Sequence, residues 1–252
     1  MIKILKYILK SNSLLKVPKY LFLGLSFQIF KRLSNNVISK KIFNGKRIFL
    51  FPNCNVSTMY TYTDIPDKQE IEVLRNLLKG KLNTTFFDVG ANIGNYSVSM
   101  MDVCDDVIAF EPHPYTAKRC KMNFLLNNVD ESRVKTLALS DKNSKVYFSD
   151  FGGSSTVNHI VEDKQGIEID CLTLDTFLVG NNFSKERNYV LKVDIEGFEY
   201  NFFLGAEKFL KEYNILGIVF ECFGDEKVFN LLKENGYDIK RLSENNYYAT
   251  KN

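Results

Sequence analysis

From Phe86 onward the chain repeats one pattern: a short run of aromatic and β-branched residues, a turn, then a stretch with helical apolar spacing. Phe86–Val89, Val107–Glu111 and Val134–Leu139 read as strands, with helices at Asn95–Val103 and Pro114–Asn127 between them. Tyr189–Asp194 and Ile215–Cys222 are two more strands, separated by a helix at Phe198–Tyr213. A last helix at Lys227–Asn235 precedes strands at Tyr237–Leu242 and Tyr247–Thr250. Strands joined by helices must run parallel and bury both faces, so the pattern predicts an α/β fold with a mostly parallel seven-stranded sheet. No helix separates the final two strands, which predicts an antiparallel hairpin at one edge.

Ahead of this unit the reading changes. Residues 1–40 are predicted to be a helical arm. A hairpin of Lys41–Asn44 and Lys46–Pro52 follows, turning at Asn44-Gly45, a dipeptide that tolerates positive φ. Asp64 to Gly80 reads as a helix with Pro66 near its start and Gly80 as its stop. The chain therefore divides into an arm and hairpin at 1–63 and a catalytic domain at 64–252. One excursion interrupts the alternation at 140–188, where KVYFSD and GIEIDCLTL flank the small-residue turn GGSST at 152–156. Long detours of this kind in compact domains usually serve function.

Charge is distributed unevenly. Residues 1–63 hold eleven Lys and Arg and no Asp or Glu, leaving 22 basic against 30 acidic residues in the remainder. Among the early lysines lies YLFLGLSFQIF at Tyr20–Phe30, eleven residues where a bilayer span needs about 20. Two readings stay open: an amphipathic segment in peripheral contact with an anionic membrane, or an apolar face packed on the catalytic domain or on a second subunit of a homo-oligomer. No small-residue cleavage site follows the run. The five cysteines are odd in number and never spaced C-x-x-C, which points away from zinc and disulfides and toward reduced thiols in a cytoplasmic protein.

The turn after the first strand carries the chemistry. FFDVGANIGNYS at 86–97 has Gly90 and Gly94 where a ligand must approach the backbone. It lacks the Gly-Lys-Ser/Thr of a phosphate-binding loop and departs from the dinucleotide pattern. Asp88 matters more: a carboxylate beside a pyrophosphate would be repelled by roughly 4 kcal/mol at about 4 Å. A ligand without phosphate and with a cationic end is favoured instead, and S-adenosylmethionine is one. Glu111, at the end of the second strand, can accept hydrogen bonds from both ribose hydroxyls.

These residues, with AFEPHP (109–114), LALSD (137–141), GGSST, LTLDTF (172–177) and LKVDIEGFE (191–199), resemble the FkbM family of S-adenosylmethionine-dependent methyltransferases. The resemblance runs from about Thr85 to Cys222 and implies the Rossmann-like class I methyltransferase fold. It further implies that Gly90 and Gly94 hold the methionine end, that Asp88 faces the ammonium and that Asn92 lines the turn. By the same resemblance Glu111 takes the ribose, Pro112, Ala138 and Leu139 flank the adenine, and Asp141 or a neighbouring carbonyl meets the adenine amino group. Family members typically methylate hydroxyls of sugars and polyketide-type products.

Methyl transfer to oxygen needs in-line alignment and help with the hydroxyl proton. Asp194, ending the fourth parallel strand, and Glu196, in the following turn, are the candidate bases. Lys192 shares Asp194's face two residues earlier and is its electrostatic partner, and Glu199 is a candidate support. Ser154, Ser155 and Glu221 are candidate contacts to the acceptor, a small molecule or glycan. A divalent metal held by Asp194, Glu196 and Glu221 is a thinner reading without histidines nearby, and no metal is assigned. His113 suits a wall of the cofactor site; His159 reads either as a surface residue or as a base reaching the acceptor.

The function expected is O-methylation of a sugar hydroxyl in a bacterial-type surface glycan or related glycoconjugate. Rival readings are a non-sugar acceptor, an amine acceptor, and a membrane-associated module that binds the cofactor without catalysis. An amine methylase would favour an Asn-Pro-Pro-Tyr type strand end, which LKVDIEGFE does not supply. Nucleic acid is not an expected partner, because the arm's aromatics sit in an apolar run and the remainder is acidic.

Overall fold

A computed structural model describes residues 2–148, 160–161 and 166–251. The chain opens with helices α1 (Ile2–Ser11) and α2 (Val17–Leu33), then a hairpin of β1 (Ile38–Lys41) and β2 (Arg47–Leu50). Short α3 (Asn55–Met59) and α4 (Lys68–Leu78) lead into the alternating unit. That unit runs β3 (Thr84–Val89), α5 (Asn95–Met100), β4 (Asp106–Phe110), α6 (Pro114–Leu126), β5 (Val134–Lys135) and β6 (Ala138–Leu139). The excursion supplies β7 (Ser144–Phe148), β8 (Ile160–Val161), β9 (Ile167–Leu172) and α7 (Leu174–Gly180). The chain closes with β10 (Asn188–Val193), α8 (Glu199–Leu204), α9 (Glu207–Glu212), β11 (Asn214–Glu221), α10 (Glu226–Glu234), β12 (Tyr237–Arg241) and β13 (Asn246–Lys251).

Seven strands form the main sheet in the order β12-β13-β11-β10-β3-β4-β5. All neighbours from β11 to β5 pair parallel, and β13 alone is antiparallel, slotted between β11 and the edge strand β12. The order reverses between β3 and β10, and a crevice opens there beyond the strand ends. Successive side chains alternate across the sheet. Phe87, Val89, Leu191 and Val193 pack with Phe177, Phe202 and Phe209 of the helices on one face. Phe86, Val107 and Val190 pack with Leu74, Met100 and Phe124 of α4, α5 and α6 on the other.

Several boundaries differ from the sequence-based reading. The hairpin's first strand lies earlier, at Ile38–Lys41, because the turn spans 42–46: Ile42 N–H donates to Lys46 O (2.8 Å) and Gly45 takes φ +83°. Helix α4 starts at Lys68, since Ile65 precedes Pro66 and is disfavoured in α conformation, and Asp67 sits at φ +50°. The predicted helix 198–213 breaks into two at Gly205, which lies so close to Ser140 that a Cβ there would stand 1.9 Å from its carbonyl oxygen. The predicted strand Val134–Leu139 divides: β5 joins the main sheet, whereas β6 joins a small sheet ordered β6-β9-β7-β8. The excursion is therefore a second sheet, built from the two runs whose β character the sequence displays. GGSST, with Ser154 and Ser155, and His159 lie outside the described residues.

The hairpin packs on the catalytic unit through Ile42, Ile48, Leu50 and Phe51, which meet Ile93 and Val98. Its edge is closed by side chains: Asn123 Oδ1 accepts from Phe49 N–H (2.7 Å), and Asn127 Oδ1 and Nδ2 pair with both backbone groups of Arg47 (2.8 and 2.7 Å). Two asparagines one turn apart, Asn123 on α6 and Asn127 at its C-terminal cap, thus satisfy a strand edge that would otherwise be open. All five cysteines are free.

Candidate active site

The first strand and its turn are shaped by glycine and asparagine in the left-handed region. Gly90, Asn92 and Gly94 have φ of +79°, +51° and +85°. This folds the turn so that the N–H groups of Gly90 and Ala91 both reach the carbonyl oxygen of Phe110 on β4, 3.0 Å each. At Gly90 there is no room for a side chain, because a Cβ would come within 1.8 Å of the Asp194 carbonyl oxygen. The turns after β3 and β10 therefore touch backbone to backbone.

Between them opens a cleft of about 1030 Å3, counted with its mouth. Of the sequence-predicted residues, Gly90, Asn92, Glu111, Pro112, Ala138, Leu139, Asp194 and Glu196 line it, and His113 forms part of the wall. Glu111 is buried and holds the turn: Oε2 accepts from Asn92 N–H (2.8 Å) and Oε1 from His113 N–H (3.0 Å). Each oxygen keeps a second lone pair for a ligand hydroxyl. Burial pushes the Glu111 carboxyl up to about 7.

Asp88, Gly94 and Asp141 do not line the cleft. Asp88 lies beneath the turn, where Oδ2 accepts from the Ser97 N–H (2.8 Å) and hydroxyl (2.6 Å). Its Oδ1 is buried without a hydrogen-bond partner, and burial raises this carboxyl to about 6. Through these two bonds the Asp88 carboxylate fastens α5 to β3. Gly94 is the residue before α5, so close to α6 that a Cβ would stand 2.9 Å from Cys120 Sγ. Asp141 is turned toward the Ser140 hydroxyl at 3.0 Å.

At the other rim, parallel pairing sets Lys192 directly beside Asp88, and both side chains project to the same face. Lys192 is 1% exposed, its ammonium 3.2 Å from Asp194 and 5.1 Å from the centre of the Tyr96 ring. The turn that follows is strained, with Glu196 at φ +55° and Gly197 at +98°. Glu199 holds it, one oxygen accepting from the N–H groups of Ile195 (3.1 Å) and Gly197 (3.2 Å). Oxygens of Asp194, Glu196 and Glu221 lie within 4.8 Å of one another. Burial, then the charge of Asp194, raises the Glu221 carboxyl above the ordinary glutamate range.

Sequence reasoning missed Asn95 and Tyr96, which open α5 and line the cleft, and Val56, which reaches it from α3. Tyr96 carried a weak signal, since it immediately follows the glycine turn. Val56 carried none, lying well ahead of the glycine-turn motif that begins at Phe86. Tyr60, nearby, donates its hydroxyl to Asn95 Oδ1.

These groups fit S-adenosylmethionine. Glu111 offers acceptors to a ribose, the walls at Pro112, Ala138 and Leu139 are apolar enough for a purine, and bare glycine admits the methionine backbone. An orphaned carboxylate oxygen under the turn adds negative potential where the cationic end would lie.

The chain is similar to several solved methyltransferases. Ribosomal protein L11 methylase from Lactobacillus delbrueckii subsp. bulgaricus shares 14% identity, covering 73% of this chain and 78% of that one with a TM-score of 0.44. For magnesium protoporphyrin IX methyltransferase from Synechocystis PCC 6803, with bound SAM, the values are 11%, 73%, 79% and 0.42. The Thermus thermophilus 16S rRNA N2 G1207 methyltransferase, in complex with AdoMet and guanosine, gives 13%, 86%, 50% and 0.49. No curated protein sequence matches the chain. The methyltransferase FkbM domain, by contrast, matches residues 88–239, which spans β3 to β12 and both turns of the cleft. The chain belongs to this family and is a methyltransferase whose donor is S-adenosylmethionine.

Proposed function

We propose that this enzyme methylates a hydroxyl oxygen, with a sugar of a surface glycan or related glycoconjugate as acceptor. When bound, S-adenosylmethionine supplies an electrophilic methyl group on a sulfonium. The reading rests on one observation: two acidic residues, Asp194 and Glu196, line the same cleft as the glycine turn. Asp194 is assigned to take the acceptor's hydroxyl proton, with the Lys192 ammonium 3.2 Å behind it. Glu221, holding its proton to higher pH than an ordinary glutamate, limits charge repulsion in the cluster and serves as an acceptor contact. Glu196, on the strained turn, orients the hydroxyl. The hydroxyl groups of Ser154 and Ser155 are assigned to the sugar. A cytoplasmic site, at the inner membrane face, accompanies an acceptor of this kind.

The test uses labelled donor and panels of sugars, polyhydroxy compounds and amines. Label is expected in a hydroxyl-bearing acceptor, and Asp194→Asn is expected to lower kcat by about 10²- to 10⁴-fold with donor affinity by calorimetry unchanged. Label appearing only in amines sinks the oxygen assignment. Activity abolished by a chelator and restored by magnesium would reassign the three clustered oxygens to a cation and remove Asp194 as base.

A further inference from the structure

Helix α2 is apolar on two opposite faces, and the protein uses only one. Tyr20, Gly24 and Phe27 are turned inward, and Gly24 is pressed so closely on Tyr62 that a Cβ would stand 2.6 Å from its ring. On the other side, Leu21, Leu25, Ile29 and Leu33 recur every four residues with Phe22 beside them, and all are exposed, Phe22 to 69% and Leu33 to 81%. The turn ahead of the helix ends in Leu14 and Leu15, the latter 95% exposed. A run of large apolar side chains in this arrangement marks a contact surface rather than ordinary scatter.

Charge decides what the surface meets. The 63 residues that carry it hold eleven basic side chains and no acid. Asp64, just beyond, takes up Lys16 at 2.9 Å, which leaves the excess almost intact. On α2 itself Lys19 and Arg32 are exposed, Lys19 lying 3.9 Å from the same Asp64. A second copy docking arm to arm would bring two such excesses together. An anionic lipid surface instead offers headgroups to the cations and acyl chains to the leucines. No helix among the described residues is long and apolar enough to cross a bilayer, so the helix lies in the interface.

We infer that the outward face of α2, with the Leu14–Leu15 turn, is a docking surface for an anionic membrane. The inference is independent of the acceptor assigned above, because its readout involves no methyl transfer.

The experiment is co-sedimentation of the full chain with phosphatidylcholine vesicles and with vesicles of phosphatidylcholine and phosphatidylglycerol. Binding is expected to the anionic vesicles, weakened by salt. Phe22→Ser/Leu25→Ser/Ile29→Ser is expected to reduce it by about tenfold or more, with circular dichroism and donor affinity unchanged. Leu14→Ser/Leu15→Ser, at side chains that are almost bare and cannot unfold the arm, is expected to reduce it as well. Wild-type protein that ignores anionic vesicles, or variants that sediment like wild type, would overturn the inference. So would a wild-type dimer in solution that the triple variant dissolves, which would make a second copy the occupant.

Discussion

The two turns that face each other across the cleft follow neighbouring parallel strands, yet they are held in opposite ways. After β3, the acids hold the turn in place: Glu111 accepts from two backbone N–H groups, Asp88 from Ser97, and Phe110 receives the turn's own amides. After β10, carboxylates face the cleft, and the turn is held by a buried glutamate beneath it. The first is a receptacle fixed by its own hydrogen bonds, with the remaining lone pairs of Glu111 turned to the cleft. The second lines the same cleft with carboxylates, Asp194 among them with Lys192 at 3.2 Å. On the function proposed above, that difference separates binding a donor from acting on an acceptor, and it can be tested one residue at a time.

The largest effect is expected where the turns meet. Gly90→Ala combines a positive φ with a Cβ inside van der Waals contact of the Asp194 carbonyl. Stability should fall by about 3 kcal/mol or more by chemical denaturation, and donor binding should disappear from calorimetry. A variant that binds the donor normally would show the contact to be slack.

Next comes Glu111→Gln. Its carboxyl is raised by burial from the ordinary 4.5 to about 7. The folded state therefore favours the protonated form. Below the ordinary value both states hold the proton and nothing is lost; as pH rises toward 7 the unfolded chain releases it first, and stability declines. The decline is roughly 3 kcal/mol for such a shift. The glutamine variant should flatten the fall in melting temperature between about pH 4.5 and 7, while donor affinity drops about 10- to 100-fold. A steep profile surviving in the variant would assign the titration elsewhere, with Asp88, raised to about 6, the first candidate.

Smaller still is the effect expected at the acceptor side. Glu199→Ala leaves two amides of the second turn without an acceptor, a cost of about 1–3 kcal/mol, and should lower kcat with donor affinity unchanged. Glu199→Gln, whose amide oxygen can serve both amides, should restore most of it. Loss of donor binding in the alanine variant would mean that the turns are not separable.

The first turn was legible from sequence because its chemistry is local. Glycines forced into positive φ, an acid at each strand end and a helix immediately after leave a continuous trace. Parallel strands buried on both faces were legible for the same reason, as unbroken apolar runs. What escaped was set by distance or by competition. Val56 reaches the cleft, and Tyr60 reaches its wall residue Asn95, only because the hairpin docks on α5, and no local signal marks that docking. Val134–Leu139 reads as one strand, yet its second half is claimed by β9 of the small sheet. The orientation of Asp88 depends on Ser97, whose role no spacing announces. On the arm, apolar spacing was visible throughout; that it serves two opposite faces of α2 could not be read without the packing partner, Tyr62.

The contact between Gly90 and the Asp194 carbonyl acts as a fixed gauge. Because the two turns meet here chiefly through main chain, with the Ile195 side chain alongside, side-chain drift around the rim can change which molecules are admitted without moving one turn against the other. A lineage built on this scaffold is free to explore new acceptors while its working distance is inherited unchanged.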